Sequence, residues 1–142
     1  MIIAVLEDDE SRQQMMRCLL AEACAAYQAV FFDNAPDMIS WLSAHLPEVA
    51  LICLDHDLGP NRERAGQVFD PGTGRDVVNV LTTCAPSCPV IIHTANYLAA
   101  PGMMLALEPL GWDVKRAIPA NDLAWLTREW VHIVRDLLSR TA

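Results

Sequence analysis

The feature that most constrains this chain is an alternation: short, mostly apolar runs are each followed by a stretch whose apolar residues recur every three or four positions. A run of that kind suits a strand covered on both faces, and the stripes between runs suit the helices that cover it. Ile2 to Leu6 is the first run, ending in Glu7-Asp8-Asp9-Glu10, and Met15, Met16, Leu19, Leu20 and Ala23 mark the helix behind it. Gln28 to Phe32 is the second. Asn34 is placed to cap a helix that carries Met38, Ile39, Leu42 and Leu46 up to Pro47. Val49 to Leu54 is the third run and leads into Asp55-His56-Asp57-Leu58-Gly59-Pro60. A long loop from about Gly59 to Gly74, rich in Gly, Pro and charge, precedes the stripe of Val77, Val78 and Leu81. Pro89 opens the strand Val90 to Thr94; a helix from about Pro101 to Leu110 ends at Gly111, a C-cap; Trp112 to Ile118 is the fifth strand, and a last helix runs from Asp122 toward Arg140.

Five strands alternating with five helices predict right-handed crossovers and a doubly wound α/β domain with a five-stranded parallel sheet. The 142 residues suit one such domain spanning 1–142. No apolar run approaches the roughly 18 residues of a membrane span. The net charge of -8 argues against an extended nucleic-acid surface while leaving room for a small or terminal phosphate. The five cysteines, Cys18, Cys24, Cys53, Cys84 and Cys88, are an odd set without a secretory signal and read as reduced thiols of a cytoplasmic protein.

Ligands of open parallel sheets bind beyond the carboxyl ends of the strands, where the strand order reverses. In the order 2-1-3-4-5 the first and third strands are neighbours, so Glu7 and Asp8 meet Asp55 and Asp57. Either cluster alone is what a helix cap or a turn uses; both at matching strand ends predict a hard divalent cation, Mg²⁺ or Mn²⁺, bound by Glu7, Asp8, Asp55 and Asp57. Alternation points Asp55 and Asp57 to one side and His56 to the other. Thr94 offers a hydroxyl to a phosphoryl oxygen, His93 an imidazole and Asn96 an amide. Arg62, Arg64 and Arg75, in or beside the long loop, offer guanidinium forks that match phosphate.

These residues resemble the response-regulator receiver family, whose fold is flavodoxin-like with strand order 2-1-3-4-5. Val5-Leu6-Glu7-Asp8-Asp9 looks like its first-strand acidic motif, Leu54-Asp55 like its phosphoacceptor motif, Gly74 like the glycine before its third helix, and Thr94 like its hydroxyl position. The resemblance implies that Glu7 and Asp8 hold Mg²⁺ and that Asp55 accepts phosphate from a kinase or a small phosphorylated donor. One departure stands out. Ile118 precedes Pro119 where the family places a lysine, and of Lys115 and Arg116, earlier in that strand, at most one faces the pocket. With Leu54-Asp55-His56-Asp57-Leu58-Gly59, Gly72-Thr73-Gly74 and His93-Thr94-Ala95-Asn96, the chain is similar to the cyclic-phosphate-processing receivers. That likeness implies that Asp55, Asp57 and His93 serve metal-dependent hydrolysis of a cyclic phosphate on a nucleotide or RNA end. Three functions therefore stand as expectations: a phosphoacceptor signalling domain, a cyclic phosphodiesterase, and a non-catalytic interaction module. For the last, Leu123, Leu126, Trp130, Val134, Leu137 and Leu138 form the core stripe of the final helix. Trp125 lies off that stripe, either as the anchor of a homodimer through the fifth strand and last helix or packed on Trp112 or Pro119 within one subunit.

Overall fold

Strand β1 (Ile2–Leu6) is buried along its whole length because it lies between β2 (Gln28–Phe32) and β3 (Val49–Leu54), both parallel to it. The computed structural model describes residues 1–141. On the far side of β3 lies β6 (Val90–Ile92), and β7 (Val114–Arg116) pairs with β6, so the five-stranded parallel sheet runs β2-β1-β3-β6-β7. This is the order predicted for the flavodoxin-like fold.

Period-two alternation sorts the sheet residues onto two cores. Ala4, Leu6, Ile52, Leu54 and Ile92 face α2 (Ala35–His45), α3 (Gly74–Leu81) and α4 (Ala99–Leu107), meeting Met38, Val77, Val78 and Met103. Ile3, Val5, Leu51, Cys53 and Ile91 face α1 (Glu10–Ala23) and α5 (Val131–Thr141), meeting Met16, Leu20, Trp130 and Val134. Each fully buried aliphatic side chain of this kind contributes about 1.5–3 kcal/mol, so the two layers together drive folding. The expected punctuation is present: the Asn34 side chain accepts the Asp37 N–H at 2.8 Å, and Gly111 ends the helical turn after α4 at φ +93°.

The long loop is corrected. Its middle is an antiparallel hairpin, β4 (Arg62–Arg64) with β5 (Gln67–Phe69), turning through Ala65 and Gly66 at positive φ. Two arginines clasp it to the β2–α2 corner. Arg62 donates to the Asp33 carboxylate at 2.9 Å and its carbonyl at 2.6 Å, while Arg64 forks onto Asp37 at 3.2 and 2.8 Å. The Arg64 fork, with Asn34, holds the Asp37 carboxyl down to about 2. Arg62→Ala is expected to speed amide hydrogen exchange in residues 62–69 and leave the β1 and β3 amides unchanged. Equal exchange in both proteins would show that the hairpin stands without the clasp.

The last helix is corrected too. It opens with a π-helical turn, Leu126–Trp130, before α5 begins. The wider turn admits an extra residue, so Trp125 joins Leu126 and Trp130 in the core at 1% exposure and stacks on His93 with ring centroids 6.3 Å apart. Trp125 is therefore no exposed anchor for a homodimer. Cys18 is exposed, Cys24 and Cys53 are buried, and all five thiols are free. Among the described residues no helix is long and apolar enough to cross a membrane.

Candidate functional site

The parallel ladder continues one residue past the strand ends, and this places the site. Glu7 N–H donates to Phe32, Asp55 N–H to Leu6, His93 N–H to Leu54 and Ala117 N–H to Ile92, all at 2.9–3.0 Å. Since Leu6, Leu54 and Ile92 face the α2–α4 layer, Glu7, Asp55 and His93 turn to the other side, toward α1 and Trp125.

Glu7 and His93 are fully buried side by side, with Glu7 Oε2 3.2 Å from His93 Nε2. Glu7 Oε1 accepts the Asp9 N–H at 3.0 Å, whereas Oε2 and both His93 ring nitrogens lack an aligned hydrogen-bond partner among the described residues. Burial pushes the Glu7 carboxyl up, but the His93 ring beside it, with the Asp9 N–H and the Arg12 guanidinium, holds it below the ordinary range. Asp8, half-buried next to Glu7, is raised by burial first and by that neighbouring charge second. Asp55 is 5% exposed, and burial, opposed by His93 and reinforced by Glu7, pushes its carboxyl up to about 6. Its Oδ1 accepts the His56 N–H at 2.7 Å.

One carboxylate oxygen each from Glu7, Asp8 and Asp55 lie within 4.8 Å of one another. All-oxygen donors at that spacing, one of them buried and unpartnered, fit a hard divalent cation. Asp57 is not one of these three. The ladder ends at Asp55, so alternation no longer governs; Asp57 stands exposed at the rim, 2.9 Å from His56 Nδ1 and 3.2 Å from the Asn96 amide nitrogen.

The cleft over the cluster is about 490 Å³ and is bordered by Asp8, Arg12, Asp55, Asp57 and Thr94. Thr94 Oγ1 accepts the Asn96 N–H at 3.1 Å. Asn96 Oδ1 accepts the N–H groups of Leu98 and Ala99 at the start of α4, so one side chain starts the helix and steadies Asp57. His93 lies behind Glu7 and does not border the cleft. The loop arginines do not border it either: Arg62 and Arg64 hold Asp33 and Asp37, and Arg75 donates to Asn79 at 2.9 Å. Lys115 pairs outward with Asp113, while Arg116 donates to the Thr94 carbonyl at 2.9 Å. The residue that sequence reasoning missed is Arg12, on the first turn of α1 and in the cleft wall.

Comparison with known proteins fits this geometry. The family described as "Cyclic-phosphate processing Receiver domain" matches residues 3–109. No curated protein sequence matches significantly. Among solved structures, the phosphorylated cyanobacterial phytochrome response regulator RcpA superposes with TM-score 0.71 at 15% identity, covering 99% of this chain and 95% of that one. The Mn(2+)-bound form of response regulator Rcp1 gives 0.64 at 14%, covering 97% and 91%. A Burkholderia pseudomallei response regulator with a phosphorylated aspartic acid, calcium ion and citrate gives 0.60 at 14%, covering 95% and 71%. Likenesses at these identities speak for the fold.

Proposed function

The chain belongs to the cyclic-phosphate-processing receiver family, and from that premise we propose that it is a metal-dependent hydrolase of a cyclic phosphate ester, such as the 2′,3′-cyclic phosphate of a nucleotide or RNA end. The observation that carries this reading is the Glu7, Asp8 and Asp55 oxygen cluster, of which Asp8 and Asp55 line an open cleft and Glu7 is buried beside them. When bound, Mg²⁺ or Mn²⁺ would supply Lewis-acid polarisation of a phosphoryl oxygen.

The chain's own groups carry the rest. Thr94 keeps its hydroxyl proton for a phosphate oxygen, because its Oγ1 already accepts from Asn96. Asp57, steadied by His56 and Asn96, stands at the rim, where it can move a proton between water and the leaving oxygen. In the overall step water adds to phosphorus, one ring P–O bond breaks, and the released alkoxide takes a proton. His93 is a positioning residue that acts through Glu7. The charge of -8 favours a small ligand over a long polyanion.

A second reading rests on Asp55 itself. One oxygen is pinned by the His56 N–H, the other lies 4.0 Å from the Arg12 guanidinium, and the residue lines the cleft, an arrangement that suits a carboxylate that attacks phosphorus and accepts a phosphoryl group from a kinase or a small donor. Incubation with Mn²⁺ and 2′,3′-cyclic AMP, followed by chromatography, is expected to yield the monophosphate, with no product after chelation or from Asp55→Asn. No turnover of any 2′,3′-cyclic nucleotide would sink the hydrolase. A phosphoryl adduct on Asp55 after acetyl phosphate treatment, seen by intact mass without turnover, would select the second reading.

A further inference from the structure

We propose that Arg12 is the phosphate-binding cation of this cleft, standing in from α1 for the lysine that is missing beside Pro119. The inference rests on the reading of the cleft as a metal and phosphate site and names the residue that takes the anion there.

The position before Pro119 is Ile118, an exposed side chain without charge. Arg116, the nearer of the two strand cations, is already tied to the Thr94 carbonyl, and Lys115 points to Asp113. Arg62, Arg64 and Arg75 each have a partner outside the cleft. Among the described residues Arg12 is then the cation bordering the cleft.

Its geometry is that of a group poised rather than occupied. Arg12 Nη1 lies 3.8 Å from Glu7 Oε2 and 4.0 Å from Asp55 Oδ2, beyond hydrogen-bond range, and its side chain is 23% exposed. The hairpin arginines, by contrast, sit at 2.6–3.2 Å from their partners. The Arg12 guanidinium rests 5.6 Å over the ring of Trp125, which the π-helical turn has brought into the core beneath it. That platform fixes the plane of the fork while leaving its donors free for tetrahedral oxygens. Charge supplies the reason for a cation here. Three carboxylates outweigh one divalent ion, so without Arg12 the loaded cluster would still repel an anion; with it the cluster is neutral before phosphate arrives.

The test uses the whole protein with Mn²⁺ and inorganic phosphate. Mn²⁺ affinity is read by electron paramagnetic resonance, and phosphate at the metal by ³¹P line broadening, in the wild type, Arg12→Lys and Arg12→Met. Removing a positive charge about 4 Å from the carboxylates is expected to leave Mn²⁺ binding as tight or a few-fold tighter. Phosphate affinity is expected to fall roughly tenfold or more in Arg12→Met, with Arg12→Lys between because it keeps the charge and loses the fork. The opposite signs separate this role from a structural one, which would weaken both. Phosphate binding by Arg12→Met at wild-type strength would overturn the proposal and leave the metal site standing; loss of Mn²⁺ and phosphate together in both variants would overturn it too, by showing that Arg12 holds the site's structure. A wild type that binds no Mn²⁺ would remove the proposed function and this inference with it.

Discussion

Gly74→Ala is expected to destabilise the protein by about 3 kcal/mol, at the upper end of what overpacking one methylene costs, and to dismantle the cleft floor. A Cβ at position 74 would meet the Asp55 carbonyl oxygen at 1.9 Å and its carbon at 2.9 Å, with the Met103 methyl 3.0 Å away. Two of these atoms are backbone of the central strand's end, which cannot swing aside as a side-chain tip can. Retreat from the other side is blocked as well. Gly74 N–H is bonded to the His56 carbonyl at 3.0 Å, Thr73 bridges to Asp57, and Thr73 and Asp76 form the capping box that starts α3. For a domain near 150 residues the loss corresponds to a fall in Tm of about 6–12 °C. Gly66→Ala is the control: it has a positive φ of 78° but nothing within 4 Å, so it should cost only about 1 kcal/mol of backbone strain. Thermal unfolding followed by circular dichroism checks both. A Gly74→Ala protein that melts within about 2 °C of the wild type would mean that α3 can move off β3.

The parts of the molecule that were legible beforehand are those in which one local signal settles the outcome. Ile2 to Leu6 and Val49 to Leu54 stop at carboxylates, so placing those strands side by side already brings Glu7, Asp8 and Asp55 together. Asn34 and Gly111 announce helix ends through chemistry that few other residues supply. What stayed hidden depends on distant partners or on a one-residue change of geometry. The β4–β5 turn uses Ala65-Gly66 instead of Asn-Gly, and its clasp joins residues 27 and 29 positions apart. Arg12 sits in the polar stretch Ser11-Arg12-Gln13-Gln14, which reads as a solvated helix face. The burial of Trp125 beneath it, with Glu7 and Asp55 alongside, gives that arginine its place. The π-helical turn responsible for that burial leaves no mark on an amphipathic stripe of ordinary helical period. Asp57 lies two residues beyond the last hydrogen bond of the ladder, at Asp55, where strand alternation no longer fixes the direction of a side chain.

Asp55→Asn is expected to make the metal-free protein more stable at neutral pH and the Mg²⁺-loaded protein less so. The Asp55 carboxyl is pushed up to about 6 by burial first and by Glu7, so the folded state holds its proton more tightly than the unfolded state, where an aspartate titrates near 4. Stability from this group is full below about pH 4 and is lost as pH rises through 6, on the order of 3 kcal/mol by pH 7.5. Asp8, raised for the same reasons, adds in the same direction. The lowered carboxyls of Asp33 and Asp37 work oppositely, and their stability disappears only as the solution becomes more acidic still. Metal-free protein should therefore melt higher at pH 5 than at pH 7.5, and Asp55→Asn should flatten that slope by removing the buried charge. Mg²⁺ reverses the ranking at neutral pH. Binding only to the folded state, it adds roughly 2.7 kcal/mol at one hundred times its Kd, and this gain requires the carboxylate that the amide lacks. The same competition between proton and metal at Asp55 should weaken Mg²⁺ binding as pH falls below 6. Melting temperatures of both proteins at pH 5 and 7.5, with Mg²⁺ and with chelator, give the full set. Lower metal-free stability in Asp55→Asn at pH 7.5 would show that the carboxylate is not strained by its burial. An undiminished Mg²⁺ gain in the variant would place the cation away from Asp55.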